Sequence, residues 1–192
     1  VIAIIGPTAS GKSALAVRLA RRFNGEVIGA DSRQVYRGLD VGTGKITKKE
    51  MYGIPHHLLD VANPRQQFSV AVYQKISREK VAEIFSRERL PIICGGTGLY
   101  IDSLLNDTTF PEVPPNKALR NRLEKKVPED LFAILQKLDA KKAKQIDRHN
   151  PRRIVRAIEI AMALGKVSPL KVQPRREVEP FQILHIGLTF PP

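Results

Sequence analysis

Residues 6–13 read GPTASGKS, which matches the phosphate-binding pattern Gly-x-x-x-x-Gly-Lys-Ser/Thr. The apolar run VIAII precedes this octapeptide. The helical pattern of KSALAVRLARRF begins at the last two residues of the octapeptide, Lys12 and Ser13. Because such a loop turns tightly at its glycines, backbone N–H groups and the N-terminus of the helix converge on phosphate oxygens. The motif therefore predicts a P-loop that binds a di- or triphosphate. Its predicted binding residues are Gly6, Pro7, Thr8, Ala9, Ser10, Gly11, Lys12 and Ser13.

The segments around this loop alternate between strand-like and helix-like patterns. Continuous apolar runs predict four buried strands, at residues 1–5, 25–32, 90–96 and 181–190. Amphipathic patterns predict helices at residues 12–23 and 69–89. This alternation implies parallel pairing with right-handed crossovers. We therefore predict an α/β fold, a P-loop NTPase-like core whose parallel β-sheet is flanked by helices, formed by residues 1–105 and 170–192.

Residues 106–169 differ in composition and predict a small helical insertion domain. The proline-rich FPEVPP leads into three Lys- and Arg-rich helical segments, at residues 116–126, 128–147 and 150–166. The last of these carries helix-boundary signals. Asn150 is suited to cap the helix, Pro151 to occupy its first turn, and Gly165 to end it.

The charge of the chain favours a polyanionic partner. There are 32 Lys and Arg against 19 Asp and Glu, a net charge of +13, which is typical of nucleic-acid binding. A basic enzyme, or a fragment whose acidic part is missing, is the alternative. No apolar run is long enough to span a membrane, and no basic leader precedes the first strand. With a single cysteine, Cys94, we expect a reducing, cytoplasmic location, and we expect neither a disulfide nor a membrane partner.

The position of Asp31 bears on the reaction. P-loop hydrolases use a further aspartate for Mg²⁺ and a polar group that orients water, but the strand at 90–96 carries Cys94 where such an acid would stand. Asp31 follows the second predicted strand, and so faces the crevice at the carboxyl edge of the sheet. This position suits a general base acting on a nucleophile. The alternative is that Asp31 caps the next helix through the segment DSRQ.

Two further segments contribute candidate polar groups. GGTGLY leaves a predicted strand beside the P-loop, and Thr97 within it is able to bond a phosphate or a nucleic-acid backbone oxygen. PRRIVRAIE brings Arg152, Arg153 and Arg156 to one side of a helix, an arrangement that suits phosphate groups. A solvated basic face explains the arginines equally well.

Two other features are better explained by structure than by chemistry. His56 and His57 are adjacent, and neighbours on an extended segment point to opposite faces, so a shared metal ion is disfavoured. We expect them to have a structural or substrate-loop role. Cys94 is expected to be a small core residue rather than a nucleophile.

The ordered motifs GPTASGKS, DSRQVYRGLDVGTGK, HHLLD, GGTGLYIDSLL and NPRRIVRAIE closely resemble the bacterial tRNA dimethylallyltransferases, also called tRNA isopentenyltransferases, of the IPP transferase family. The resemblance covers essentially the whole chain. It implies transfer of a dimethylallyl group from dimethylallyl diphosphate to N6 of adenosine 37 in tRNAs that read codons starting with U, giving N6-isopentenyladenosine. It also implies Mg²⁺ as cofactor and the tRNA anticodon stem-loop as partner, and we expect a monomer.

The same resemblance assigns roles to residues of this chain. Lys12 is implied to neutralise the leaving diphosphate, Ser13 to ligate Mg²⁺, and Asp31 to accept the proton from N6. The implied catalytic set is Asp31, Lys12 and Thr97. The implied tRNA contacts, partly in the helical insert, are Asp31, Ser32, Arg33, Gln34, Thr97, Arg120, Arg152, Arg153, Ile154, Val155 and Arg156.

Three other functions remain open from the sequence. One is a small-molecule or nucleotide kinase with ATP on the P-loop, a second is an adenylate isopentenyltransferase, and a third is a P-loop module that binds RNA without catalysis. Proteins of the resembled family are longer than this chain. We therefore expect the chain to be truncated, with an arginine of the missing part helping to hold the diphosphate.

Overall fold

The computed structural model describes residues 1–106, 108–165, 167, 171–172 and 182–190. The other residues, which fall in the predicted insert, core and last strand, lie outside this description. The chain divides into two compact units, one formed by residues 1–108 and 172–192 and the other by residues 109–171. These boundaries lie within three residues of the predicted ones.

The described elements follow one another in alternation through the first unit and as successive helices in the second. In chain order they are β1 (Ile2–Ile5), α1 (Lys12–Arg22), β2 (Gly25–Gly29), β3 (His56–His57), α2 (Val70–Ser86), β4 (Leu90–Gly95), α3 (Gly98–Leu105), β5 (Thr108–Thr109), α4 (Lys117–Leu123), α5 (Pro128–Leu138), α6 (Ala140–Gln145), α7 (Pro151–Leu164), β6 (Lys171–Val172) and β7 (Leu184–Gly187).

The first unit is built on a five-stranded sheet in the order β3-β2-β4-β1-β7. Every neighbouring pair is parallel, with Ile5 beside Gly95 and Gly29 beside Cys94 at the carboxyl edge. The four predicted strands are present, and the prediction of a parallel sheet flanked by helices is confirmed. β3 was not predicted as a strand, because its two histidines show neither an apolar run nor an alternation of apolar and polar residues.

Alternation along the strands divides the core between the two faces of the sheet. Ile4 and Ile92 pack with α1 residues on one face, whereas Ala3, Ile28 and Ile93 pack with residues of α2 and α3 on the other. Parallel strands covered on both faces explain the continuous apolar runs in the sequence. The helices thus cover the two faces of the sheet, and the connecting loops lie at the ends of its strands.

The second unit consists of α4 to α7 around a core of leucine, isoleucine and alanine. α7 begins at Pro151 after Asn150, whose side chain accepts a hydrogen bond from the N–H of Arg153, and it ends at Gly165, whose φ is +75°. The predicted boundaries of this helix are therefore confirmed. The predicted segment at 128–147 is instead two helices, because Asp139 leaves the helical conformation and caps α6 through Lys142.

Among the described residues, no helix combines the length and the apolar character that a bilayer crossing requires.

Candidate active site

Three loops leave adjacent strands of the sheet at its carboxyl edge. β4 lies between β1 and β2, so the P-loop, the DSRQ turn and the GGTG turn begin side by side. The N–H of Ala30 donates to the carbonyl of Cys94 (2.8 Å), and the N–H of Thr97 donates back to the carbonyl of Ala30 (3.1 Å). The backbone N–H of Ser32 donates to Oγ1 of Thr97 (2.9 Å). These bonds place Asp31 and Thr97 in one cluster although 65 residues lie between them in the chain.

Two residues of the P-loop have a left-handed backbone conformation. Gly11, with φ +83°, precedes α1, and Ala9 also has a positive φ of 63°. Lys12 Nζ donates to the carbonyl of Pro7 across the loop. Ser10 Oγ is buried and has no hydrogen-bond partner among the described residues. A buried hydroxyl without a partner is costly, so a phosphate oxygen entering this loop would supply the acceptor that Ser10 lacks.

Asp31 accepts backbone hydrogen bonds from the turn that it begins. Its Oδ1 accepts hydrogen bonds from the N–H of Arg33 (2.8 Å) and of Gln34 (3.3 Å). The predicted capping interaction is thus present, in a turn rather than at a helix. The other oxygen, Oδ2, accepts no hydrogen bond from any described residue. The cap fixes the orientation of the carboxylate and leaves one oxygen available to a proton donor.

Cys94 connects this carboxylate to the P-loop. The thiol is buried at 8% exposure. Burial raises its pKa to about 11, with Asp31 acting in the same direction, while the charge of Lys12 and a hydrogen bond with Ser13 act against it. The thiol is therefore protonated at neutral pH, which agrees with the predicted core role. Lys12, Ser13 and Asp31 are thus the side chains whose charge or hydrogen bonding acts on this thiol.

A buried lysine organises the loop that follows the DSRQ turn. Lys45, whose side chain is 6% exposed, donates to Oδ1 of Asp40 (2.7 Å), Oδ1 of Asp60 (2.6 Å) and the carbonyl of Tyr36 (2.9 Å). Burial acts to lower the pKa of Lys45, but the two carboxylates outweigh burial and raise the pKa. The lysine thereby joins the segments DSRQVYRGLDVGTGK and HHLLD, and no local sequence signal predicted this link.

The two histidines make separate contacts. His57 Nε2 lies 2.6 Å from Oε2 of Glu26, and His56 Nδ1 lies 2.9 Å from the carbonyl of Ile54. The two rings therefore have different partners, a carboxylate for His57 and a backbone carbonyl for His56. Glu26, 2% exposed, also binds Arg87 (2.7 Å) and Arg89 (3.1 Å). Burial acts to raise the pKa of Glu26, but hydrogen bonds from Arg87 and His57 hold the pKa below its ordinary value.

The structure corrects two of the implied tRNA contacts in the second unit. Ile154 is 0% exposed and Val155 is 5% exposed, and both belong to the core of this unit. Their side chains are therefore not available to a ligand on its surface. Arg152 and Arg153 of the same helix are exposed.

Arg156 and Arg120 are also placed differently from the sequence interpretation. Both guanidinium groups bind Glu159, with Arg120 Nη2 at 2.8 Å from Oε2, so Arg156 does not join Arg152 and Arg153 on one open face. Glu159 is 2% exposed. Burial acts to raise its pKa, but hydrogen bonds from Arg120, from the Asn116 N–H and from Arg156 lower the pKa to about 2. Glu159 lies within an arginine-rich helix, and its local sequence does not indicate that it is buried and binds two arginines.

Residues 34–192 match the family model described as IPP transferase. The chain belongs to the IPP transferase family. It is 46% identical over 191 residues to the tRNA dimethylallyltransferase of Anoxybacillus flavithermus, covering 98% of the chain and 61% of that protein. It is 44% identical over 196 residues to the tRNA dimethylallyltransferase of Thermomicrobium roseum, covering 100% of the chain and 59% of that protein. The chain thus spans about three fifths of the length of these relatives.

Solved structures of IPP transferase family members share the fold. The full-length tRNA isopentenylpyrophosphate transferase from Bacillus halodurans aligns with a TM-score of 0.61 and 40% identity, covering 97% of this chain and 58% of that one. A eukaryotic dimethylallyltransferase acting on tRNA aligns with a TM-score of 0.75 and 27% identity, covering 98% and 48%. The predicted family and the predicted P-loop NTPase-like fold are confirmed.

Gly95 controls how closely two of the three loops approach in this IPP transferase family member. A Cβ at position 95 would lie 2.1 Å from the carbonyl oxygen of Ala30. Gly95→Ala is therefore expected to destabilise the protein by about 3 kcal/mol, the upper end of the range for overpacking, as measured by urea unfolding. Gly96→Ala is the matched control, because a Cβ at position 96 would meet the Gly6 carbonyl only at 3.5 Å. Equal stability of the two variants would contradict the close approach.

Proposed function

We propose that the protein containing this chain transfers a dimethylallyl group from dimethylallyl diphosphate to N6 of adenosine 37 in tRNA. The observation that carries the proposal is that β4 lies between β1 and β2, so that the P-loop, the turn of Asp31 and the turn of Thr97 begin side by side and hydrogen bonds of Ala30 and Ser32 join the last two. A phosphate-binding loop lies beside a carboxylate with one unoccupied oxygen, and the central strand contributes a thiol where an aspartate would serve hydrolysis. The names of the relatives support the same reaction.

Each step of the transfer has a candidate group in the first unit. As the C–N bond to adenine forms, the bond between the allylic carbon and the diphosphate oxygen breaks, and negative charge develops on the diphosphate. Lys12 and the P-loop amides stabilise this charge where it develops. Asp31 accepts the proton that N6 loses, because an exocyclic adenine amine is a poor nucleophile and needs a base within hydrogen-bond reach. Thr97 fixes the turn that carries Asp31.

The residues present fit a magnesium ion bound with the donor. Mg²⁺ prefers oxygen ligands and is commonly held by one or two protein groups together with substrate phosphates. Ser13 is the second residue of α1, at the end of the P-loop, and its hydroxyl is an oxygen ligand of the kind that Mg²⁺ takes. When bound, Mg²⁺ supplies positive charge to the departing diphosphate.

The distribution of charge favours tRNA over a free nucleotide as acceptor. Residues 109–171 contain fifteen Lys and Arg against seven Asp and Glu, whereas the rest of the chain contains seventeen against twelve. A basic helical unit suits a phosphodiester backbone, and an acceptor of mononucleotide size has no need of it. Adenylate isopentenyltransferase and kinase activity are therefore the less favoured functions. The proposal includes the expected cytoplasmic location, where tRNA is available.

The deciding experiment uses the full-length protein with Mg²⁺, radiolabelled dimethylallyl diphosphate and unmodified tRNA. We expect label on adenosine 37 and none on a tRNA with guanosine at that position. Label on free AMP at a comparable kcat/KM would identify an adenylate isopentenyltransferase. Phosphoryl transfer from ATP without prenyl transfer would identify a kinase, and RNA binding without either reaction would identify a binding module.

A further inference from the structure

The loop after the DSRQ turn exposes an apolar side chain almost completely. Val41 is 99% exposed, and Leu39, two residues before it, is 40% exposed. Isolated apolar residues are common on protein surfaces and by themselves require no explanation. Val41 differs because polar contacts fix the loop that carries it. These contacts hold the valine side chain in its exposed position.

Three side chains fix the conformation of residues 38–44, which we call the wedge loop. Lys45 binds Asp40 and the carbonyl of Tyr36 at the base of the loop. Within it, Thr43 Oγ1 donates to the carbonyl of Leu39 (2.6 Å). Gly38 and Gly44 have positive φ values of 74° and 58°, which permit the reversals on either side of the tip. The loop therefore presents Val41 to solvent in a defined position.

The wedge loop is attached directly to the turn that carries the proposed general base. Gln34 Nε2 donates to the carbonyls of Thr43 (3.0 Å) and Gly44 (3.3 Å). Gln34 also donates its backbone N–H to Asp31. One glutamine thus links the loop that carries Val41 to the carboxylate.

The surroundings of the wedge loop are cationic. Arg33 and Arg37 are exposed on the adjoining turn, and Lys48 and Lys49 are exposed beyond the loop. Of the nearby acids, Asp40 and Asp60 share Lys45 at 2.7 and 2.6 Å, and Glu50 is exposed beside Lys49. An apolar tip among cations suits a partner that has both unstacked bases and phosphates, which describes the single-stranded loop of an RNA hairpin.

We propose that Val41 is a wedge that enters the anticodon loop and fills the space left when the target adenosine is extruded toward Asp31. Enzymes that react with a base take it out of the stack, and apolar side chains inserted between bases stabilise the unstacked state. The inference rests on the proposed function and adds to it the residue that favours the extruded conformation. Gln34 holds the wedge loop to the turn of Asp31, and for this reason we assign both to the same nucleotide.

The test measures base extrusion separately from transfer. An anticodon stem-loop RNA carries 2-aminopurine at position 37, which lacks the N6 amine and so cannot react, and its fluorescence rises on unstacking. We expect the full-length protein to raise this fluorescence, and Val41→Ala to lower the extruded fraction at saturating RNA by about tenfold. Val41→Ile retains an apolar wedge and is expected to behave as the wild type. Val72→Ala, at a valine of α2 that is 45% exposed, is the matched control.

A second readout separates a wedge from a general binding contact. In single-turnover transfer, Val41→Ala is expected to be about tenfold slow on the adenosine-37 stem-loop, and within twofold of wild type on an unstructured oligonucleotide of the same loop sequence. Equal slowing on both RNAs, or wild-type extrusion by Val41→Ala, would overturn the wedge. A lowered melting temperature with unchanged extrusion would mean that the remainder of the full-length chain covers Val41, which also overturns it. If the wild type prenylates neither RNA, the proposed function itself is wrong.

Discussion

Full-length protein carrying Asp31→Asn is expected to transfer dimethylallyl groups about 10²- to 10⁴-fold more slowly than the wild type, the range measured for loss of a general base. Asparagine retains the side-chain oxygen that accepts hydrogen bonds from the Arg33 and Gln34 N–H groups, and it caps as well as aspartate does. The turn is therefore preserved while the proton acceptor is lost. Single-turnover transfer at saturating donor and tRNA measures the effect.

Two comparisons make this result specific to the base. Asp31→Ala removes both the cap and the base, so it is expected to be as slow as Asp31→Asn and also less stable by about 1 kcal/mol. Binding of dimethylallyl diphosphate, followed by calorimetry, is expected to stay within twofold for Asp31→Asn because Lys12 and the P-loop are unchanged. Near wild-type transfer by Asp31→Asn together with slow transfer by Asp31→Ala would assign Asp31 to the cap alone.

Glu159→Gln is expected to lower the free energy of unfolding at pH 7 by about 3 kcal/mol. Removing one partner of a buried ion pair costs about 3 to 5 kcal/mol, and the lower end applies because the side chains of Arg120 and Arg156 are 26% and 36% exposed. The pKa of Glu159 is lowered from 4.5 to about 2. A depression of this size contributes about 3 kcal/mol when the carboxylate is ionised in both the folded and the unfolded state.

The sign of the pH dependence follows from that depressed pKa. The contribution of Glu159 is fully present above its unfolded pKa near 4.5 and is lost as pH falls toward about 2. Urea unfolding of the wild type and the variant at pH 7 and pH 2.5 is therefore expected to show a difference that shrinks at the lower pH. Glu124→Gln, at an exposed glutamate of the same unit, is expected to change stability by less than about 0.5 kcal/mol. A constant difference across this pH range would show that Glu159 acts by packing and not by charge.

Much of the first unit could be predicted because its signals are local. The runs 1–5 and 90–96 are apolar throughout, as strands buried on both faces must be, and the octapeptide at 6–13 fixes a strand-loop-helix order by itself. β3 escaped prediction because its pairing with β2 is decided by tertiary context. The break at Asp139 escaped because the segment on either side of it has helical composition, and aspartate competes for backbone hydrogen bonds in a way that favours caps.

The motifs of the candidate site could be predicted from the sequence. The hydrogen bonds and ion pairs that join these motifs could not. Asp31 and Thr97 are each at the end of a predicted strand, but their common attachment through Ser32 requires the register of β2 and β4. Lys45 and Glu159 were missed for a related reason. Each is a charged residue in a polar stretch, where the sequence alone indicates solvent, and each is buried because partners from other segments neutralise it.

Glu26 and its partners His57, Arg87 and Arg89 form an ion-pair cluster that affects how the first unit tolerates changes of surface charge. It lies where β2 begins, whereas the three loops lie where β1, β2 and β4 end, and five strand residues extend about 17 Å. Arg87 and Arg89 neutralise Glu26 in place, so the cluster exerts little net field over that distance. The ion pairs that affect thermal stability and the charges around the proposed reacting groups therefore lie at opposite ends of the strands. Ion pairs at the amino edge can be gained or exchanged as the working temperature changes, while the electrostatic field around the reacting groups stays as the chemistry requires.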